Sequence, residues 1–152
     1  GLGDEYLSFL TETIKPYIDN KYNTIPDPSS TGILGFSLGG LISVYAAYTK
    51  KEFGIIGSLS GSFWYDGWLD YLEAKTGWNP NLKIYLSSGR NEGLNKDNRR
   101  KKAAEATIAT AMSLSKLVGH EIQIRWDDGG HHDLRLERHL AALQWISNVF
   151  PG

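Results

Sequence analysis

Two rhythms of apolar residues run along this chain, and together they predict a layered fold of strands and helices. Tyr6, Phe9, Leu10, Thr13, Ile14, Tyr17 and Ile18 recur at spacings of three and one, which is a helical stripe. Asp4 and Glu5 fall in its first turn, where the helix dipole favours anions, and Pro16 predicts a kink or a restart. Pro26, Pro28 and two serines between Asn23 and Thr31 read as a loop. Gly32–Phe36 is then a short apolar run without alternation, the pattern of a strand covered on both faces. Further strands are expected over Phe53–Leu59, Leu82–Leu86 and Glu121–Trp126. Helices are expected from Leu38 to about Lys50, over Lys96–Val118 and over Arg138–Val149. The long helix should turn Ala104, Ile108, Ala111 and Val118 inward, with Gly119 as its C-cap; the last should turn in Leu140, Leu143, Ile146 and Val149. Alternation in this order predicts an α/β domain with a mainly parallel sheet flanked by helices.

Composition narrows the field without choosing within it. The 152 residues suffice for a single domain over 1–152 with a real core. A net charge of −1 gives no reason to expect nucleic acid or an anionic membrane as partner. Arg99-Arg100-Lys101-Lys102, the densest charge cluster, wraps around a helix and reads as a solvated face. No apolar run reaches the length of a membrane span, and no signal-peptide pattern opens the chain. Cysteine is absent, which excludes disulfides and thiolate chemistry and leaves the compartment open. Gly1-Leu2-Gly3 stands where a methionine would begin a gene product, so a processed product or part of a longer protein is expected.

The chemistry begins at Gly35-Phe36-Ser37-Leu38-Gly39-Gly40. A serine hydroxyl is a poor nucleophile until a base takes its proton. A strand, a sharp turn with glycines two residues on either side of the serine, and a helix would expose Ser37 and aim the Leu38 N–H at a developing oxyanion. The plainer alternative is a glycine-rich turn that packs a helix on a sheet, with the serine incidental.

A base and an acid are expected on loops after later strands, in the order serine, acid, histidine. Trp126-Asp127-Asp128-Gly129-Gly130-His131-His132-Asp133 follows the last strand and offers two adjacent histidines. Either histidine has a surface role as its alternative, and His131 with Asp133 and a third ligand would make a metal site. The loop after the Leu82–Leu86 strand offers Glu92, favoured because it lies closer to the strand end than Asp97, which alternatively serves a helix dipole.

Taken with Ser60-Gly61-Ser62-Phe63-Trp64 and Gly89-Arg90-Asn91-Glu92, these segments resemble the Putative esterase family. That family includes enterobactin esterases, feruloyl and acetylxylan esterases, S-formylglutathione hydrolase and mycolyltransferases; the likeness is greatest to the enterobactin-esterase branch. The resemblance runs from about Asp4 to Phe150 and implies an α/β-hydrolase fold. It implies Ser37 as nucleophile, His131 as base, Glu92 as acid and no metal or cofactor. Substrates would lie among siderophore lactones, feruloyl or acetyl esters and small acyl esters. Leu136 stands where the family often has an aromatic residue. Family members also carry strands before the first helix, one of whose loops supplies a second oxyanion N–H. The chain is therefore expected to be a C-terminal portion of such a domain, its exposed sheet edge covered by an N-terminal segment or by a second copy. Trp64 and Trp68 are candidates for a pocket wall, while Phe63 is assigned to the core. Acyl transfer to an alcohol and a non-catalytic binding domain of the same fold are the competing functions.

Overall fold

A computed structural model describes residues 1–94, 96 and 98–150. The N-terminal stripe folds as helix α1 (Gly3–Phe9), a wide π-turn over Leu10–Ile14, and helix α2 (Lys15–Lys21). Pro16 has no N–H to return to the preceding turn, so the ladder loosens just before it and restarts with the proline in the first turn of α2. The buried positions here are Leu7 and Thr11. Tyr6, Phe9, Tyr17 and Ile18 lie exposed, so most of the predicted stripe is turned away from the core.

Strands β1 (Gly32–Phe36), β2 (Ile55–Leu59), β3 (Lys83–Gly89) and β4 (Ile124–Asp127) form one sheet in the order β1-β2-β3-β4, and all three pairings are parallel. The expected strands are therefore present, the first with the bounds expected and the other three starting one to three residues later. Helices α3 (Leu38–Thr49), α4 (Trp68–Glu73) and α5 (Ala103–Val118) pack on one face, and α6 (Arg135–Val149) on the other. Side chains alternate along the strands accordingly. Ile33, Ile56, Ile84 and Leu86 join the main core under α3 and α5, whereas Leu34, Phe36, Leu59 and Tyr85 join a smaller cluster with Ala142 and Trp145 under α6.

The inward faces of two helices match the expected ones only in part. In α5 Ala111 and Val118 are buried as expected, joined by Ala103, Ala106, Thr107, Thr110, Leu114 and Leu117, while Ile108 points outward. A 3₁₀ turn over Arg99–Lys102 precedes this helix, and Gly119 closes it in the left-handed conformation at φ 79°. In α6 the buried side chains are Arg138 and Ala142, and Leu140 and Leu143 are exposed. The apolar period identified which residues share a stripe, but not what covers it.

β1 is an edge strand. It pairs only with β2, and its residues are exposed or half-buried, whereas every residue of β2 is buried. Among the described residues no helix is long and apolar enough to cross a membrane.

Candidate active site

Parallel strands bring their carboxyl ends to one edge of the sheet, where the following loops converge. Ser37 follows β1 directly. Its backbone sits at φ 59°, ψ −118°, a conformation that costs a non-glycine residue on the order of 1–3 kcal/mol. Neighbouring backbone over-determines it: the Ser37 N–H donates to Leu59 O at 3.0 Å, and Ser37 O accepts from Ser62 N at 3.0 Å and Leu41 N at 3.1 Å. The turn closes so tightly that a Cβ on Gly35 would lie 2.2 Å from the Gly39 carbonyl carbon. A side chain there would drive strand and helix apart. Leu38 opens α3, so its N–H belongs to the first turn, whose amides lack intrahelical acceptors.

Glu92 lies in the turn after β3 and is 5% exposed. His131 lies in the loop after β4. Its Nε2 is 2.9 Å from Ser37 Oγ, and its Nδ1 is 2.8 Å from Glu92 Oε2. Burial pulls the Glu92 carboxyl upward. The His131 hydrogen bond and the Gly89 N–H at 2.8 Å from Oε1 outweigh that and hold it below the usual carboxylate range. An ionised Glu92 fixes the proton on Nδ1, which leaves Nε2 to accept from the Ser37 hydroxyl. The Phe36 ring lies 5.0 Å from the His131 ring, centroid to centroid.

Three of the expected residues thus meet through side chains 94 and 39 positions apart in sequence. His132 is exposed, its ring edge-on to His131 at 4.8 Å, and it makes neither contact. Asp97, the other candidate acid, lies outside the described residues. Among the described residues no three His, Cys, Asp or Glu side chains cluster as metal ligands.

The triad opens into a cleft of about 270 Å³ whose walls include Leu38, Ser62, Trp64, Lys96 and Arg100. The Arg99 and Arg100 guanidiniums lie 5.4 and 5.2 Å from the Trp64 ring centroid, so this indole is held as a cation-flanked wall. Trp68 does not line this cleft; it borders a neighbouring depression together with Leu38, Leu41 and Tyr71. It is 5% exposed, stacks between Phe63 and Tyr71, and donates its Nε1–H to Thr110 Oγ1 at 3.0 Å. A buried indole needs such an acceptor, and α5 supplies it. Phe63 is buried beside it, in the core as expected.

Two residues of the site carried no role in the sequence reading. Ser62 Oγ lies 3.1 Å from Ser37 Oγ and presents a second hydroxyl to the nucleophile. Arg138, on α6, reaches beneath the acid and the histidine loop. The one available signal for Arg138 was its position four residues before Ala142, on the stripe that becomes buried.

Comparison with known proteins adds a family to this geometry. The family described as Putative esterase matches residues 1–141. The chain is 30% identical over 151 residues to the uncharacterized protein YbbA of Bacillus subtilis (strain 168), covering 96% of this chain and 60% of that protein. It is 31% identical over 67 residues to the siderophore enterobactin esterase of Emericella nidulans, covering 43% of this chain and 22% of that one. Among solved structures, the enterobactin esterase of Shigella flexneri in the presence of enterobactin superposes with a TM-score of 0.72 at 26% identity, over 95% of this chain and 36% of that chain. The chain thus spans 60% or less of the length of these relatives.

Proposed function

The chain belongs to the Putative esterase family, and on that footing we propose that it is a serine carboxylic-ester hydrolase working through an acyl-enzyme on Ser37. The observation that carries this reading is the continuous relay Ser37 Oγ–His131 Nε2, His131 Nδ1–Glu92 Oε2, at 2.9 and 2.8 Å. In the proposed cycle His131 Nε2 takes the Ser37 proton as Oγ bonds to the ester carbonyl carbon. The Leu38 N–H faces the resulting oxyanion, and Glu92 stabilises the imidazolium. The imidazolium then gives its proton to the leaving alcohol as the C–O bond breaks. Water, deprotonated by His131, attacks the acyl-enzyme and releases the acid, returning the proton to Ser37. No step calls on a metal or cofactor.

The acyl group is proposed to be flat or aromatic, of the siderophore-lactone or feruloyl type, with acetyl esters as the smaller alternative. The Trp64 wall and the enterobactin esterases among the similar proteins support this. The chain is further proposed to form the C-terminal portion of the catalytic domain. A further protein segment or a second copy would then cover the free edge of β1, where Ile33, Leu34 and Phe36 are only half-buried. The reading is tested by hydrolysis of a panel comprising a catecholate trilactone, methyl ferulate and p-nitrophenyl acetate. Turnover of at least one ester, abolished by Ser37→Ala, is expected. Turnover undiminished in Ser37→Ala would exclude it.

A further inference from the structure

We infer that Arg138 is a positioning residue, a clamp that ties the histidine loop to the acid so that Glu92 and His131 stay in register beneath Ser37. Its side chain is 3% exposed. Burying a guanidinium costs several kcal/mol unless it is paired and its donors are satisfied. One carboxylate would serve for pairing, and Asp127 at the end of β4 does so with a two-pronged contact: Nε to Oδ2 at 2.6 Å and Nη2 to Oδ1 at 2.7 Å. The remaining donors do something else. Nη2 donates to Gly130 O at 3.1 Å and Nη1 to His131 O at 3.4 Å, both on the histidine loop. Nη1 also donates to Ser60 Oγ at 2.6 Å, beyond β2, and reaches Glu92 Oε1 at 3.4 Å. One planar group therefore bridges the segments that follow β2, β3 and β4.

The division of labour at Glu92 follows from this. Oε2 faces His131, while Oε1 is occupied by the Gly89 N–H, Ser88 Oγ and Arg138, so the carboxylate has no room to swing. The space for the guanidinium is built in. A Cβ at Gly89 would lie 2.5 Å from Arg138 Nη2, and one at Gly129 would lie 3.2 Å from it. A lysine supplies the charge but not the planar fork, so the two functions of Arg138, charge and geometry, are separable by substitution.

Among the described residues, several titratable and charged groups surround the Glu92 carboxyl. His131 faces it from the loop, Arg138 from α6, and Asp127 lies across the guanidinium. Lys96 and Arg100 line the cleft beside it, and Asp133 contributes to the field at Arg138. Removing the Arg138 cation takes a donor and a positive neighbour from Glu92, so its titration must move to higher pH.

The inference rests on the proposed hydrolase reading for its kinetic part only, and the experiment separates the two. Arg138→Met and Arg138→Lys are compared with the parent by turnover per site titrated with a fluorophosphonate and by the ¹³C titration of the Glu92 carboxyl carbon. Arg138→Met is expected to lower kcat about 10- to 100-fold with KM within about 3-fold, and to move the Glu92 midpoint upward. Arg138→Lys is expected to lower kcat similarly while holding the Glu92 midpoint near that of the parent. An Arg138→Met protein with an unmoved Glu92 midpoint overturns the clamp even if no ester is turned over. If Arg138→Met does not fold, Arg138→Lys decides: parental kcat per titrated site overturns the geometric role. Absence of labelling in the parent counts against the hydrolase reading and leaves the carboxyl titration to judge Arg138.

Discussion

The carboxyl-end rim of the sheet and the outward surfaces of β1, α1 and α6 are built on opposite terms. On the rim, Ser37, Glu92, Asp127, His131 and Arg138 are each hydrogen-bonded to another member of the set, across more than ninety residues of sequence at the widest. On the outward surfaces, Tyr6, Phe9, Leu136, Leu140 and Leu143 stand exposed, and β1 offers unpaired backbone along one side. The rim is specified by polar contacts that close within the chain. The outward surfaces carry apolar area that stays exposed among the described residues. The proposed relay thus sits at one end of a sheet whose first strand is only half-buried, and a loss on the rim is expected to appear in turnover, a loss on the outward surfaces in association.

The largest expected effect breaks the rim. His131→Ala should lower kcat by about 10⁴- to 10⁶-fold with stability little changed, while His132→Ala stays within about 10-fold of the parent, both read by steady-state hydrolysis. A larger loss in His132→Ala than in His131→Ala would mean the relay runs through the other histidine. Glu92→Gln should cost about 10³- to 10⁴-fold in kcat, since the amide no longer holds the imidazole in its useful tautomer.

The same carboxylates sharpen the comparison through pH. The Arg138 hydrogen bond, joined by the Gly129 N–H at 2.8 Å, holds Asp127 below the usual carboxylate range, and Glu92 is also lowered. A group lowered in the folded state contributes stability that is fully present above its unfolded value and is lost as pH falls through the folded one. Tm should therefore decline as pH drops below about 4, and the decline should be shallower in Asp127→Asn than in the parent. Identical slopes would remove Asp127 from the account.

Smaller effects are expected at the cleft mouth and on the outward surfaces. Trp64→Ala should raise KM for aromatic esters by about 10-fold, the equivalent of about 1.4 kcal/mol of lost contact, and leave acetyl esters nearly unchanged. Leu140→Lys should change unfolding free energy by no more than about 0.5 kcal/mol, as at an exposed position, while reducing self-association measured by light scattering. A large destabilisation by Leu140→Lys would mean the α6 stripe is already covered, and the contrast between rim and outward surfaces would fail.

What is encoded locally is legible in the sequence. The apolar runs at Ile33–Phe36 and Ile55–Leu59, the glycines around Ser37 and the glycine closing α5 each mark a backbone decision made within a few residues. The choice between His131 and His132 was not local, because adjacent side chains diverge and only the path of the loop selects one. The burial of Trp68 is hidden from the sequence for a similar reason. Its acceptor, Thr110, lies 42 residues away on α5, and no pattern around the tryptophan reveals it. The orientation of α6 eluded the period because a buried arginine, ordinarily read as polar surface, lies on its inner face. Its partners are supplied by three separate segments of the fold.

The central claim is that Ser37 is the nucleophile activated by this relay. Treating the protein with a fluorophosphonate and measuring the intact and peptide masses tests it directly. One adduct per chain, on the peptide containing Ser37, absent in Ser37→Ala and slowed at least about 100-fold in His131→Ala, is the predicted result. An unmodified protein, or an adduct that persists in Ser37→Ala, would contradict it.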